Sequence, residues 1–261
     1  MVNTGLFTAG YMKFGNGSRN MVILPGLSVK SVLPYAGAVE KQYEIFSQKY
    51  TVYLIERRNE LPCSYPVNCM ADDTAEVMRA LGIEKADIFG ASQGGMIALS
   101  LAAEYPGSVN KIAVASTSVR VDEKRFDAID EWITLARERK AKELYLSFAC
   151  KVYPSELFIQ NREAFIALSE TVSEAELDRF ITLAEGTRGF DITAQAKKIK
   201  CPVFCAFDKN DDVLGAEAGY EISDLFAECS GFEASVTEGF GHAVYDTAPD
   251  FALNIYKFFE K

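Results

Sequence analysis

The sequence lacks the features that direct a protein into a membrane or out of the cell. No window approaches the run of about 18 apolar residues that a membrane-spanning helix requires. The first residues, Met1 to Phe7, contain no basic region followed by an apolar stretch and a small-residue cleavage site, which is the pattern of a secretory signal. We therefore expect a cytoplasmic protein that does not associate with membranes.

Runs of basic residues are also missing. Lysine and arginine number 27 against 37 aspartates and glutamates, which gives a formal net charge of -10. A surface of this sign repels phosphate backbones and anionic lipid headgroups, so nucleic acid is not an expected partner. We instead expect a small-molecule substrate as the partner. The charge balance does not exclude a homo-oligomer.

Metal-binding and cofactor motifs are absent as well. Asp208 to Asp212 begins like a calcium loop, but Val213 stands where that loop needs glycine and Gly219 where it needs glutamate. Gly15 to Asn20 begins like a dinucleotide fingerprint but is followed by a predicted strand rather than a helix. We expect no metal and no cofactor. No C-x-x-C pair occurs, which predicts reduced, mostly buried thiols at Cys63, Cys69, Cys150, Cys201, Cys205 and Cys229.

Short apolar runs alternate with segments of helical spacing along the chain. This alternation predicts an α/β fold, an open and mostly parallel doubly wound sheet with right-handed crossovers. The predicted strands are Met21 to Leu24, Thr51 to Ile55, Ala86 to Phe89, Lys111 to Ala115, Val203 to Phe207 and Phe232 to Val236. The predicted helices include Ala71 to Leu81, Gly95 to Tyr105, Ala216 to Ala227 and Pro249 to Phe259.

Two segments depart from this alternation. Phe7 to Phe14, the turn residues Gly15 to Ser18 and the strand at Met21 predict an antiparallel hairpin that leads into the sheet. Residues 119–189 contain helical spacing and a capping box, Ser173 with Glu176, but no convincing strand. We expect a core formed by residues 1–118 and 190–261, with residues 119–189 inserted as a helical cap.

A G-x-S-x-G pattern supplies the strongest functional signal. Gly90-Ala91-Ser92-Gln93-Gly94 follows a predicted strand and opens a predicted helix, as a nucleophile elbow requires. The glycines remove side chains that would collide with the adjoining strand and helix. The pattern predicts that Ser92 is a nucleophile.

A serine nucleophile needs a base, and the chain has a single histidine. His242 follows the last predicted strand, at a loop where such sheets carry functional groups. The carboxylate that orients it should come from the loop after Phe207, which offers Asp208, Asp211 and Asp212. The reach across to the histidine favours Asp211, with Asp208 second, whereas Asp212 is expected to cap a helix or to be solvated. Without the orienting role, Asp208 and Asp212 would lie in a hydrated acidic loop.

The tetrahedral intermediate requires two hydrogen-bond donors for its oxyanion. The amide of Gln93, directly after Ser92, is one candidate. The other candidate is the amide of Leu27, in the segment that follows the strand ending at Leu24, with Ser28 as the alternative.

The elbow, the order Ser92, Asp211, His242 and the inserted cap together resemble the α/β-hydrolase superfamily over nearly the whole chain. The resemblance implies an esterase-like serine hydrolase that cleaves a carboxylic ester or thioester through an acyl-enzyme. Many members carry His-Gly where this chain has Pro25-Gly26, so a side chain that often braces that loop is absent. The resemblance leaves open a C–C bond hydrolase, a lyase or a non-catalytic ligand-binding member.

Two further groups of side chains bear on the substrate. Arg57 and Arg58 follow a strand end, where we expect a solvated pair; the alternative is that one of them recognises a substrate carboxylate. The aromatic residues of the cap are expected to fill its core, with two or three facing the cleft, which favours a substrate with an apolar portion. They are Phe126, Trp132, Tyr145, Phe148, Tyr153, Phe158, Phe165 and Phe180.

Overall fold

The computed structural model describes residues 1–261, and one sheet of eight strands lies at its centre. The strands are β1 (Val2–Asn3), β2 (Thr8–Phe14), β3 (Arg19–Leu24), β4 (Tyr50–Arg58), β5 (Ala86–Ala91), β6 (Val109–Ala115), β7 (Val203–Asp208) and β8 (Phe232–Thr237). They lie in the order β1-β2-β4-β3-β5-β6-β7-β8, with β1 and β2 antiparallel and β3 to β8 parallel. The predicted mostly parallel sheet is confirmed.

Ten α-helices connect and flank the strands. They are α1 (Ala36–Gln42), α2 (Val67–Ala80), α3 (Gln93–Glu104), α4 (Glu123–Arg137), α5 (Ala141–Val152), α6 (Ser155–Ser169), α7 (Glu174–Glu185), α8 (Ala216–Phe226), α9 (Val244–Thr247) and α10 (Phe251–Glu260). None of these helices combines the length and the apolar character needed to cross a membrane.

The sheet separates two hydrophobic layers, because successive side chains of a strand point to opposite faces. On β5, Ile88 packs in the larger layer with residues of α2, α3 and α8, whereas Phe89 packs in the smaller layer with α10. Both faces are therefore covered, which explains why every residue of β5 is buried. The carboxyl ends of these parallel strands meet at one edge, which positions the candidate site.

The predicted hairpin between β2 and β3 is wrong. β4 lies between them, pairing antiparallel with β2 and parallel with β3. The glycine-rich segment crosses the start of β4 instead of forming a tight turn: the Gly17 N–H donates to the Tyr50 carbonyl at 3.2 Å. A Cβ on Gly17 would overlap the Lys49 backbone, so glycine permits the crossing at this close approach.

Four helices, α4 to α7, lie between β6 and β7. The spacing predicted for α4 is confirmed, because Phe126, Ile129, Ile133 and Ala136 are all buried. The capping box at Ser173 is confirmed at the start of α7. Buried side chains of these helices belong to the same hydrophobic layer as those of α2 and α3, so the four helices share one continuous core with the sheet.

None of the six cysteines forms a disulfide in the structure. The expectation that most of them are buried is wrong, because Cys63, Cys150 and Cys229 are exposed and only Cys205 is fully buried. Burial raises the pKa of the Cys205 thiol to about 12, so that side chain acts as an apolar core residue.

Candidate active site

Ser92 stands in a strained turn between β5 and α3. Its φ is +51° and its ψ is -120°, a positive-φ conformation that a residue with a side chain rarely adopts. Hydrogen bonds hold the turn: the Ser92 N–H donates to the Ala115 carbonyl at 2.8 Å, and the Thr117 hydroxyl donates to the Ser92 carbonyl at 2.7 Å. The strain presents the Ser92 hydroxyl at the carboxyl edge of the sheet.

The two flanking glycines are required by close backbone contacts. A Cβ on Gly90 would overlap the Gly94 carbonyl, and a Cβ on Gly94 would overlap the Leu24 carbonyl. Gly26 brings the loop after β3 against the turn, since its Cβ position is 3.3 Å from the Ser92 Cβ. Strand β3, the turn and helix α3 therefore approach one another more closely than side chains would allow.

Gly94→Ala is expected to lower the free energy of unfolding by at least about 2 to 3 kcal/mol, because backbone atoms cannot move aside as side chains can. Gly37→Ala is the matched control, since Gly37 lies in α1 and no atom lies within 4 Å of its Cβ position. That variant should gain up to about 1 kcal/mol. Urea unfolding of both variants tests this, and a Gly94 variant as stable as the parent would contradict it.

The structure brings Ser92, His242 and Asp211 together. The Ser92 Oγ lies 2.9 Å from His242 Nε2, and His242 Nδ1 lies 2.8 Å from Asp211 Oδ2. The side chains of His242 and Asp211 are each only 3% exposed. With Nδ1 protonated and donating to the carboxylate, Nε2 is the acceptor for the serine proton.

Backbone groups fix the Asp211 carboxylate. Its Oδ1 accepts hydrogen bonds from the N–H groups of Val213 at 2.8 Å and Leu214 at 3.0 Å. Burial opposes ionisation, but the charge and hydrogen bond of His242 and these two amides outweigh it and hold the pKa of Asp211 below its ordinary value. Asp211 is therefore a fixed anion facing the histidine.

The other two aspartates of this loop lie elsewhere. Asp212 is exposed. The expectation that Asp208 is hydrated is wrong, because it is fully buried. Its carboxylate accepts from the Thr237 hydroxyl at 2.7 Å and from the N–H groups of Asn210 at 2.9 Å and Phe240 at 3.0 Å. Asp208 joins the loops after β7 and β8, and so supports the backbone that carries His242.

Leu27 and Gln93, the residues expected to supply the oxyanion donors, both line the pocket that contains Ser92. Gln93 is the first residue of α3, so its N–H has no acceptor within the helix. The Leu27 N–H donates to no other backbone group, and Leu27 lines the same small pocket as Ser92 and His242. The Ser28 hydroxyl instead donates to the Lys30 carbonyl at 2.8 Å, which shapes the loop.

Hydrogen bonds hold the side chain of Gln93 from two directions, an arrangement that was not predicted from the sequence. Its Oε1 accepts from Arg57 at 2.8 Å, and its Nε2 donates to the Leu183 carbonyl at 2.7 Å and the Thr187 hydroxyl at 2.8 Å. Gln93 thus joins β4 to the end of α7 and the residues that follow it. The only signal for this role was the position of Arg57 at the end of β4.

The expectation that Arg57 and Arg58 form a solvated pair is wrong. Burial lowers the pKa of Arg57 to about 10, and its guanidinium donates to Gln93. Arg58 stacks on the Phe7 ring, with its guanidinium carbon 4.4 Å from the ring centroid, and pairs with Asp73 at 3.5 Å. Both arginines therefore hold protein groups together.

The pocket in front of Ser92 has mainly apolar walls. Ile129, Trp132 and Phe148 come from α4 and α5. A hydrogen bond from the Ala243 N–H to the Val152 carbonyl, at 2.9 Å, ties α5 to the residue after His242. No three His, Cys, Asp or Glu side chains cluster closely enough to hold a metal ion.

A family model described as alpha/beta hydrolase fold matches residues 21–145, a segment that includes Ser92 and the loop with Leu27. Among curated proteins, the chain is similar to "Putative carbamate hydrolase RutD" of Caulobacter vibrioides. The two are 24% identical over 213 residues, which cover 78% of this chain and 79% of the relative.

Solved structures share the fold over nearly the full chain. MGS-M2, an alpha/beta hydrolase from a Medee basin deep-sea metagenome library, superposes with a TM-score of 0.84 at 22% identity, covering 97% of this chain and 94% of its own. The enol-lactonase from Burkholderia xenovorans superposes with a TM-score of 0.83 at 17% identity, covering 100% and 98% of the two chains.

Proposed function

We propose that this chain, which has the alpha/beta hydrolase fold, cleaves carboxylic esters or thioesters through an acyl-enzyme formed on Ser92. The observation that carries the proposal is the continuous hydrogen-bonded series from Ser92 Oγ through His242 to Asp211. A serine hydroxyl is a weak nucleophile until a base removes its proton, and this series supplies the base and fixes its orientation.

In the first half of the reaction, His242 Nε2 takes the Ser92 proton while Oγ attacks the substrate carbonyl carbon. Asp211 stabilises the imidazolium that forms, and the amides of Leu27 and Gln93 donate to the oxyanion. The intermediate collapses, the bond to the leaving oxygen or sulfur breaks, and His242 gives its proton to that atom. The acyl group is then bound to Ser92 Oγ.

In the second half, His242 activates a water molecule, which attacks the acyl-enzyme carbonyl. The same two amides stabilise the second oxyanion, and His242 returns the proton to Ser92 as the acid leaves. The relatives support this type of bond: the carbamate and the enol-lactone in their names both contain a carbonyl carbon joined to a heteroatom. The apolar walls around Ser92 favour an apolar portion on the substrate.

A fluorophosphonate probe is expected to modify Ser92 alone, because its hydroxyl is activated by His242. Peptide mass spectrometry locates the adduct, and a panel of 4-nitrophenyl esters of increasing acyl length measures turnover on the same preparation. An adduct on a different serine, or none on folded protein, would refute the assignment. Thioesters of the same acyl groups are assayed alongside, and an adduct on Ser92 without turnover of any ester or thioester would favour C–C bond hydrolysis on the same framework.

A further inference from the structure

A second and much larger cavity lies beside the Ser92 pocket. Its volume is about 510 Å³, and it extends between the loop after β3, helix α1 and helices α5 and α6. The two cavities share four wall residues, Leu27, Phe148, Val152 and Tyr245. The larger cavity therefore adjoins the Ser92 pocket.

The walls of this cavity are apolar except at a few positions, and only two of the wall residues carry a charge at neutral pH. Lys30 is one, and its ammonium group already donates to the carbonyl and the hydroxyl of Thr171, both at 3.0 Å. Asp246 is the other. It lies on α9, four residues after His242, and the surface that it exposes forms part of the cavity wall.

No basic side chain neutralises Asp246. The amide Nε2 of Gln42, which lines the same cavity, donates to the carbonyl of the preceding residue, Tyr245, at 2.6 Å. Asp246 is exposed to the open cavity, yet the protein atoms packed around it raise the pKa of its carboxyl to about 6, and Gln42 opposes the shift. At pH 7 to 8 the side chain is thus mainly a carboxylate whose charge has no cationic partner in the chain.

Aromatic side chains line the same cavity as this carboxylate. Tyr43, Tyr153 and Tyr245 all form part of its wall. Burial, and after it the charge of Asp246, raises the pKa of each of their hydroxyls. Phe165 extends the aromatic wall, since its ring is 5.7 Å from that of Tyr153.

We propose that Asp246, with Tyr43, Tyr153 and Tyr245 of the same cavity wall, forms a subsite for an ammonium group at the end of an apolar chain that the substrate extends from Ser92 into this cavity, an assignment that rests on the proposed function. A cation gains from the carboxylate and from the faces of aromatic rings, and both attractions strengthen when a bound substrate displaces water from the cavity. An anionic group would face an unpaired carboxylate, and a neutral chain would leave that carboxylate desolvated without compensation. The net charge of -10 also favours the approach of a cation.

The test compares two esters of the same shape. The 4-nitrophenyl ester of 6-(trimethylammonio)hexanoate carries the cation, and the ester of 7,7-dimethyloctanoate replaces its nitrogen by carbon. The parent enzyme is expected to prefer the cationic ester in kcat/KM by about tenfold. Asp246→Asn should abolish the preference with little change for the neutral ester. Asp250→Asn, which makes the same change in net charge at an exposed residue outside the cavity, should retain it.

Two outcomes would overturn the subsite: no preference for the cationic ester in the parent enzyme, or a preference that persists in Asp246→Asn. Butyltrimethylammonium binding, measured as a concentration-dependent rise in melting temperature, tests the subsite without catalysis. The rise should occur in the parent protein and not in Asp246→Asn. If neither ester is cleaved but this rise is found, the proposed esterase function fails and the subsite stands; without the rise, the subsite fails.

Stability supplies an independent readout of the unpaired carboxylate. A folded-state pKa raised above the unfolded value means that ionised Asp246 destabilises the fold above pH 6, and that this penalty disappears as the pH falls toward 4. Because part of Asp246 faces the open cavity, water there screens the charge, and Asp246→Asn is expected to melt only about 2 to 4 °C above the parent at pH 8. At about pH 4 the two should melt together. A variant that is less stable than the parent at pH 8 would mean that Asp246 has a structural partner.

Discussion

Ser92→Ala is expected to lower kcat/KM for a reactive ester by about 10⁴ to 10⁶-fold, and His242→Ala to lower it by a similar factor. The two side chains act as one unit, since the serine proton moves directly to Nε2 across the 2.9 Å contact. The double variant should therefore lose little more than either single variant. Initial rates with a 4-nitrophenyl ester, corrected for spontaneous hydrolysis, measure all three.

Ser100→Ala is the matched control for the serine. Ser100 lies on the same helix α3, is buried, and its hydroxyl has no hydrogen-bond partner, so its removal should leave both turnover and folding unchanged. Multiplicative losses in the double variant would mean that Ser92 and His242 act in separate steps. Retention of more than about 1% of activity by folded Ser92→Ala would remove this serine from the mechanism.

Asp211→Asn is expected to lower turnover by about 10³ to 10⁴-fold while the protein remains folded. An amide at this position cannot accept the proton of Nδ1 in the same way, so the imidazole is held in the wrong tautomer and its protonated form loses a counter-charge. Removal of the carboxylate also leaves the N–H groups of Val213 and Leu214 with a poorer acceptor. Melting curves must therefore accompany the rates, since a loss of about 1 to 3 kcal/mol is expected from those contacts.

The two neighbouring aspartates provide contrasting controls. Asp208→Asn should destabilise the protein by about 1 to 3 kcal/mol, because an amide NH₂ would face N–H donors that now bind a carboxylate, but the folded fraction should lose less than about tenfold in turnover. Asp212→Asn should change neither quantity, since Asp212 is exposed. A large catalytic loss at Asp208 with a small one at Asp211 would move the orienting role to Asp208.

The parts of the fold that could be predicted from the sequence depend on contacts between residues close together in the chain. Alternating apolar runs identified β3 to β8, and the capping box identified the start of α7. From the sequence, a tight turn between β2 and β3 could not be distinguished from a loop that passes over the start of β4, because Gly15 and Gly17 are compatible with both. The choice depends on β4, which begins at Tyr50, far along the chain from this segment, and whose preceding backbone at Lys49 approaches Gly17 closely.

The same limit applies to the candidate site. The elbow at Ser92 could be recognised because its defining residues, Gly90 to Gly94, are contiguous in the sequence. His242 could be recognised because it is the single histidine of the chain. The hydrogen bond from the Arg57 side chain to the Gln93 side chain joins positions 36 residues apart, and nothing in the sequence around either residue indicates this contact. Asp208 looked hydrated in an acidic loop, although the amide groups that bind its carboxylate come partly from the loop after β8.

The sequence by itself determined the class of fold, the strained turn at Ser92 and the identity of the single histidine that can act as a base. The periodicity of the strands, the positions of the glycines and the chemistry of the side chains, on which these depend, are local properties of the sequence. Only the tertiary structure decided which strand pairs with β2, what Arg57 and Asp208 bind, and that Asp246 and several aromatic residues line one cavity of about 510 Å³. Those outcomes depend on which distant segments come into contact, and the free energy of such contacts is set by packing across the whole core rather than by neighbouring residues.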